Sequence, residues 1–312
     1  AQDFNYFLLA AILNAAWRVP MTSWTCLLVE DADPKDLVDI YSWVNISGLL
    51  AAFFAPIAGV LISAYTLVPT MRGLYWLAFA LMTIKFVVLN ITSTETAQGV
   101  VRMQQTKDQS LFSMLTEYRG VFGIILRTPK TLYTLGIMLV MSITSLAGGT
   151  FWSILATEKI GIPTENLALF PFARSIIMLV FFFLVMPRIR EMHFRQPMLV
   201  GFGLLMISQL LLITAPYQSY ISLLISVFLD ACSLAVVSTL RDKMIVVNVD
   251  TQERARIMSL MYLVVIVFSS PFGWIAGMLS ETNKILPFVL SMALYGVGLG
   301  LTYLASKAPR EA

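Results

Sequence analysis

The chain has 312 residues and a mass of 34.8 kDa, with 58% hydrophobic side chains, 12% charged ones and a mean hydropathy of +0.80. Soluble domains carry about 25% charged residues, and a chain with half that share cannot cover a water-facing surface, so the composition excludes an ordinary soluble protein and makes lipid the solvent. The net charge of +3 arises from 21 basic residues spread along the chain, a distribution that argues against a nucleic-acid partner.

A helix needs about 20 mostly apolar residues to cross the hydrocarbon layer with its backbone polar groups paired internally. Nine stretches meet that requirement, at 4–29, 43–65, 73–92, 131–156, 167–186, 197–215, 220–240, 257–279 and 286–305. The expected class is therefore all-α, a polytopic membrane protein. Between the third and fourth spans, residues 93–130 form the longest connection. There Leu111, Phe112, Leu115, Val121, Phe122, Ile125 and Leu126 alternate with Glu117, Arg119 and Arg127, the pattern of an amphipathic helix lying at the interface.

Cytoplasmic loops carry the excess of Lys and Arg. With the carboxyl terminus inside, fifteen basic residues fall on the cytoplasmic side and three, Arg72, Lys159 and Lys284, on the other. That split predicts a multi-pass protein of the cell membrane with an external amino-terminal end, and it places the long connection in the cytoplasm. Asp33, Ile40 and Ser42 are repeated as Asp250, Ile257 and Ser259, at an offset of 217, and the run Ile57, Ala58, Gly59, Leu61 recurs as Ile275, Ala276, Gly277, Leu279 at 218. The second and eighth spans thus belong to a parallel six-span repeat. Carrying that offset back from residue 131 leaves a shortfall of about 87 residues ahead of Ala1, enough for three more spans at ~29 residues each. The expectation is an amino-terminal unit over 1–92, a cytoplasmic connection over 93–130 and a second six-helix unit over 131–312.

This arrangement of six spans, a long cytoplasmic connection and six more resembles the major facilitator superfamily of secondary transporters. Gln252–Leu260, QERARIMSL, is similar to the family's basic entry to its eleventh span, whereas 187–197, PRIREMHFRQP, keeps basic residues but lacks the Asp-Arg and Gly-Arg-Arg elements of the family's loop signature. The resemblance implies that the first and seventh spans line a central cavity. It also implies alternating access as the mechanism.

Charged side chains at membrane depth cost about 2.5–3.5 kcal/mol each and mark function by default. Arg18, Lys85, Arg174 and Asp230 lie within spans. Ser222, Ser226, Asp230 and Ser233 share one helix face, and a carboxylate so placed can carry a coupling proton. The competing reading is a static ion pair between Asp230 and Arg18 or Arg174 that fixes helix packing. Asn14, Arg18 and Thr22 form a matching stripe on the first span. Arg18 and Arg174 would hold a small polar or anionic solute through paired guanidinium donors, Trp152 could stack on it, and Lys85 reads as either functional or snorkelling to the headgroups. Gly148 and Gly149, with Ser142, Ser145 and Trp152, read first as a tight helix crossing and second as a broken helix at a solute site. Pro56, Gly59, Pro271, Gly273, Gly277, Gly296 and Gly300 also read as packing residues.

Three cations against one acid disfavour a cavity for cationic drugs, although proton-coupled drug efflux is the alternative within transport, and a transporter-like sensor or assembly protein without flux is the alternative outside it. No nucleotide-binding cradle, nucleophile elbow or zinc helix is present, so an enzyme is not expected. Cys26 and Cys232 sit in apolar runs and His193 is the lone histidine, so no cofactor or metal site is expected. Glu30, Asp31, Asp33, Asp36 and Asp39 read as a solvated turn with helix-starting acids. The expected partners are a small solute, a coupling proton and the lipid bilayer, with the chain a monomer.

Overall fold

A computed structural model of the chain describes residues 4–15, 18–52, 57, 60–61, 64–106, 123, 125–163, 166–167, 169–190, 192, 194–249 and 254–307. Its described elements are helices: α1 (Phe4–Ala15), α2 (Arg18–Val29), α3 (Leu37–Ala52), α4 (Leu67–Thr92), α5 (Ala97–Thr106), α6 (Pro129–Ile154), α7 (Leu169–Leu184), α8 (Met186–Arg190), α9 (Arg195–Thr214), α10 (Tyr220–Val247), α11 (Arg254–Thr282) and α12 (Leu286–Lys307). Among the described residues, six helices are long and apolar enough to cross a membrane, and α7 and the 37–50 stretch of α3 are shorter apolar helices.

Several ends differ from expectation, and charge explains the pattern. Arg241, Asp242 and Lys243 were expected in a loop but continue α10 to Val247, and Arg254 and Arg256 open α11 ahead of the expected start at 257. A helix leaving the hydrocarbon can keep its backbone bonds and carry charge at the headgroup level, so hydropathy underestimates its length. Arg241 and Asp242 neutralise each other there, with Nη2–Oδ1 at 2.6 Å and Nε–Oδ1 at 2.8 Å. In the long connection the described helix is α5, ahead of the expected amphipathic segment. Leu111, Phe112, Leu115, Val121 and Phe122 lie outside the described residues, whereas Ile125 is buried and Leu126 exposed.

The start of α5 explains two of the loop acids. Thr96 caps it, its hydroxyl accepting from the Gly99 N–H at 3.0 Å while donating to a Glu30 carboxylate oxygen at 2.6 Å, and Asp31 accepts from the Ala97 N–H at 3.4 Å. Carboxylates suit the positive end of a helix dipole. Asp33 stays in the solvated turn, where the Lys35 backbone N–H holds its carboxyl below the ordinary range.

Helix α9 packs against α10 and α12, while α6 packs against α11 and α12 and α7 against α10. Close approach occurs at glycines the sequence reading did not single out. A Cβ at Gly298 would stand 2.6 Å from Phe202 Cε1, one at Gly201 2.6 Å from Val237 Cγ2, and one at Gly136 2.8 Å from Leu301 Cδ1. By contrast, Gly148, Gly149, Gly273, Gly277 and Gly300 have open space where a Cβ would sit, and Gly296 meets only Met206 Cε at 3.9 Å. The expected tight crossing at Gly148 and Gly149 is thus absent, and α6 runs through them unbroken before a π-helical turn at Leu155–Lys159.

Gly298→Ala should therefore lower the thermal stability of detergent-solubilised protein by about 1–3 kcal/mol, the scale of core overpacking. Gly149→Ala should leave it unchanged or raised by under about 1 kcal/mol, since only helix propensity changes. Paired melting curves of the two variants check this.

Candidate functional site

The charged groups of the second unit meet inside the bundle. α7 carries Arg174 and α10 carries Asp230, and a guanidinium Nη2 lies 2.8 Å from Asp230 Oδ2, with the side chains 41% and 22% exposed. The pair is within reach of solvent yet walled by protein. Tyr295, from α12, is buried beside both charges and beside Thr144 of α6, whose hydroxyl donates to the Val140 carbonyl at 2.9 Å. Helices α7 and α10 thus supply the pair, and Tyr295 of α12 stands next to it. Arg174 Nε is enclosed by protein and has no hydrogen-bond partner among the described residues, so one edge of the guanidinium is engaged by the carboxylate and its Nε–H carries an unmet donor.

Of the two readings of Asp230, the structure contains the ion pair with Arg174. The serines sharing its helix face are occupied elsewhere. Ser226 is buried in the α9–α10 crossing, where it and Ser208 each donate to the other's carbonyl at 3.0 and 2.9 Å; Ser233 donates to the Leu229 carbonyl at 2.6 Å and Ser222 pairs with Ser219 at 3.0 Å. Trp152 lies in an aromatic group near the far ends of α6 and α7, its ring centroid 5.5 Å from Phe170, which stacks on Tyr220 at 6.4 Å. Phe170 is four residues before Arg174, about 6 Å along the helix, so this group borders the ion pair from the end remote from residues 30–36. On α6, Ser142 bonds to Ser269 of α11 at 3.2 Å, and Ser145 and Gly149 are exposed. The side chains of Asn14, Arg18 and Thr22 lie outside the described residues. Lys85 is exposed on α4 with its amino group 5.4 Å from the Phe86 ring centroid. Tyr295 and Thr144 were missed by sequence reasoning because a hydroxyl in an otherwise apolar span is ordinary; Tyr295 is offset from Gly298 by three residues, and only that face of α12 is buried.

Helices α2 and α3 meet the later helices at one end. Val29, Leu37 and Tyr41 pack with Val246, Cys26 packs with Ile245, Val249, Ile257, Met258 and Met261, and Val38 and Ile46 join the core containing Phe182 and Met186. Trp43 and Phe183 meet edge-on at 6.1 Å. A small cavity of about 120 Å³ between α3 and α7 is lined by Asp39, Ser42, Trp43 and Phe182 among others. All these contacts sit at the end bearing the 30–36 turn and the α10–α11 connection. At the other end, Tyr6, Leu9, Ile12 and Leu13 of α1 are exposed.

This fold is matched by the family description Major Facilitator Superfamily over residues 1–265. The chain belongs to that superfamily. Its members are membrane transporters, and this chain is a multi-span membrane protein of that type. Two solved structures of a bacterial homologue of the iron transporter ferroportin, both described as outward-facing, share the fold. The form with soaked iron matches at a TM-score of 0.66 and 15% identity, and the other at 0.64 and 16%; each match covers 93% of this chain and 69% of that one. No curated protein matches the sequence.

The ion pair gives a direct expectation for this superfamily member. Arg174→Gln should destabilise by on the order of 1–2 kcal/mol, less than a fully buried pair because Arg174 is partly exposed. The charge swap Arg174→Asp with Asp230→Arg should recover most of the loss. A double-mutant cycle in thermal unfolding reads it out.

Proposed function

We propose that the chain moves a small polar or anionic solute across the cell membrane by alternating access, coupled to protons through Asp230, with its carboxyl terminus in the cytoplasm and the protein acting as a monomer. The units 1–92 and 131–312 rock about the central site, and 93–130 links them on the cytoplasmic side. The observation that carries this reading is the Arg174–Asp230 pair, 2.8 Å apart, with an unpaired Nε on the same guanidinium.

The chemistry follows from competition for one cation. An ionised Asp230 occupies Arg174. A proton on the Asp230 carboxyl cancels the attraction, turns an acceptor into a donor and frees the guanidinium to grip a carboxylate or phosphate bidentately. Proton and anion then load together, which is the logic of symport. A guanidinium beside the only intramembrane acid of the described second unit repels a metal cation, so the iron named for the ferroportin homologue is a poorer cargo for this site than an organic anion. The apolar seam at the 30–36 end supports an outward-open resting form, with Arg18, Asn14 and Thr22 completing the solute site from the first unit and Trp152 bordering it.

Asp230→Asn should abolish accumulation of solute driven by an inward proton gradient in proteoliposomes while retaining counterflow exchange, and Arg174→Gln should abolish both. The assay is uptake of a panel of radiolabelled small organic anions at pH 5.5 and 7.5. Gradient-driven uptake by Asp230→Asn equal to that of the parent would remove the proton from this carboxylate.

A further inference from the structure

The buried face of α12 recurs at Ser291, Tyr295, Gly298 and Thr302, the i, i+4, i+7, i+11 spacing of one helix stripe. Two of its hydroxyls are spent within their own helix. Ser291 donates to the Pro287 carbonyl at 3.0 Å and Thr302 to the Gly298 carbonyl at 2.8 Å. A phenol stands too far from its own backbone to do the same, so the Tyr295 hydroxyl has to find its partner on another helix. The ring is held in place. Its centroid lies 6.3 Å from that of Phe202 on α9, and Phe202 in turn fills the space over Gly298.

Three groups stand beside that hydroxyl: Asp230, Arg174 and Thr144. Arg174 has donors only and cannot take the phenol's hydrogen. Thr144 commits its own hydrogen to the Val140 carbonyl at 2.9 Å, or to that of Met141 at 3.2 Å, which leaves its oxygen as an acceptor. Asp230 engages Arg174 through Oδ2 at 2.8 Å. An ionised Asp230 is the stronger acceptor for a neighbouring phenol; once protonated it carries its own hydrogen, and Thr144 competes for the phenol. Among the described residues no other ionisable side chain acts on Asp230. Asp39 and Tyr41 of α3, Lys130 and Tyr133 of α6 and Arg195 of α9 lie toward the 30–36 end, and Lys159 and Tyr220 toward the other. Arg241 and Asp242 are about three turns along α10 from Asp230, and Cys232 faces the other side of that helix.

We infer that Tyr295 is a positioning residue for Asp230: its hydroxyl hydrogen moves between the Asp230 carboxylate and Thr144 Oγ1, and so sets the pH at which that carboxylate takes up a proton. This builds on the proton-carrying role of Asp230 proposed above. The phenol acts through Asp230 and keeps its own hydrogen in both arrangements.

Infrared difference spectra of the purified full chain, titrated over pH, test this without transport. The carboxylic-acid C=O band lost in Asp230→Asn reports the proton on Asp230. Tyr295→Phe, which keeps the ring on Phe202, should move the midpoint of that band up by about one pH unit, the tenfold scale of one hydrogen bond to a charged group. Thr144→Val, which removes the competing acceptor, should move it down, and Thr144→Ser should leave it at the parent's value. Thr144→Val reads the same hydrogen even where Tyr295→Phe fails to fold. An unmoved midpoint in either variant, or shifts of the same sign in both, would overturn the assignment while leaving the proton on Asp230 in place. A set of titrating bands unchanged by Asp230→Asn would instead overturn the proton-carrying role of Asp230, and the role of Tyr295 with it.

Discussion

The seam at the 30–36 end governs what the rest of the molecule can do. Val29, Leu37, Val38, Tyr41 and Ile46 from the first unit bury themselves against Val246, Phe182 and Met186 of the second. In lipid there is no hydrophobic gain from pressing two apolar helices together, so association depends on close packing and on polar groups that prefer each other to the bilayer. At this end the water-facing helix tips restore part of the hydrophobic term. Helix ends that project beyond the hydrocarbon, such as α10 from Arg241 to Val247, can therefore form a closed contact that mid-membrane surfaces cannot.

That closure gives the Arg174–Asp230 pair its meaning. An ion pair enclosed from both sides would be a packing device, and one open on both sides would leak. With the apolar contacts gathered at one end, the proposed mechanism has the solute reach the pair from the other, past the aromatic group of Trp152, Phe170 and Tyr220. The pair is also expensive to desolvate further, which is why the proposed mechanism places the switch between open and closed forms on its protonation. The anchoring of α5 by Glu30, Asp31 and Thr96 ties the same end to the long connection.

Much of the architecture was legible because lipid imposes a coarse rule: long apolar runs must be helices. Helix ends were misread where charge continues a helix beyond the hydrocarbon, as at Arg241 and Arg254. The glycines failed for a different reason. Spacing places Gly148 and Gly149 on a face but does not say what that face meets, and the crossings instead fell at Gly136, Gly201 and Gly298, opposite the bulky Leu301, Val237 and Phe202. Ser226 shows the same limit. It shares a face with Asp230 within the width of a helix, yet turns to Ser208. The pairing of Arg174 with Asp230 was one of two partners open to Asp230 from the sequence, and only the fold brings α7 and α10 together.

The central claim is that the seam opens when the site loads. Cys26 is buried within it among Ile245, Ile257 and Met258, and a Cys232→Ser background leaves it as the one thiol of the chain. Maleimide labelling of Cys26 in inside-out vesicles measures that opening. Labelling should be slow at pH 7.5 and accelerate at least tenfold when the pH is lowered in the presence of transported anion, with Asp230→Asn accelerated already at pH 7.5. A labelling rate indifferent to pH, to anion and to Asp230→Asn would contradict the account.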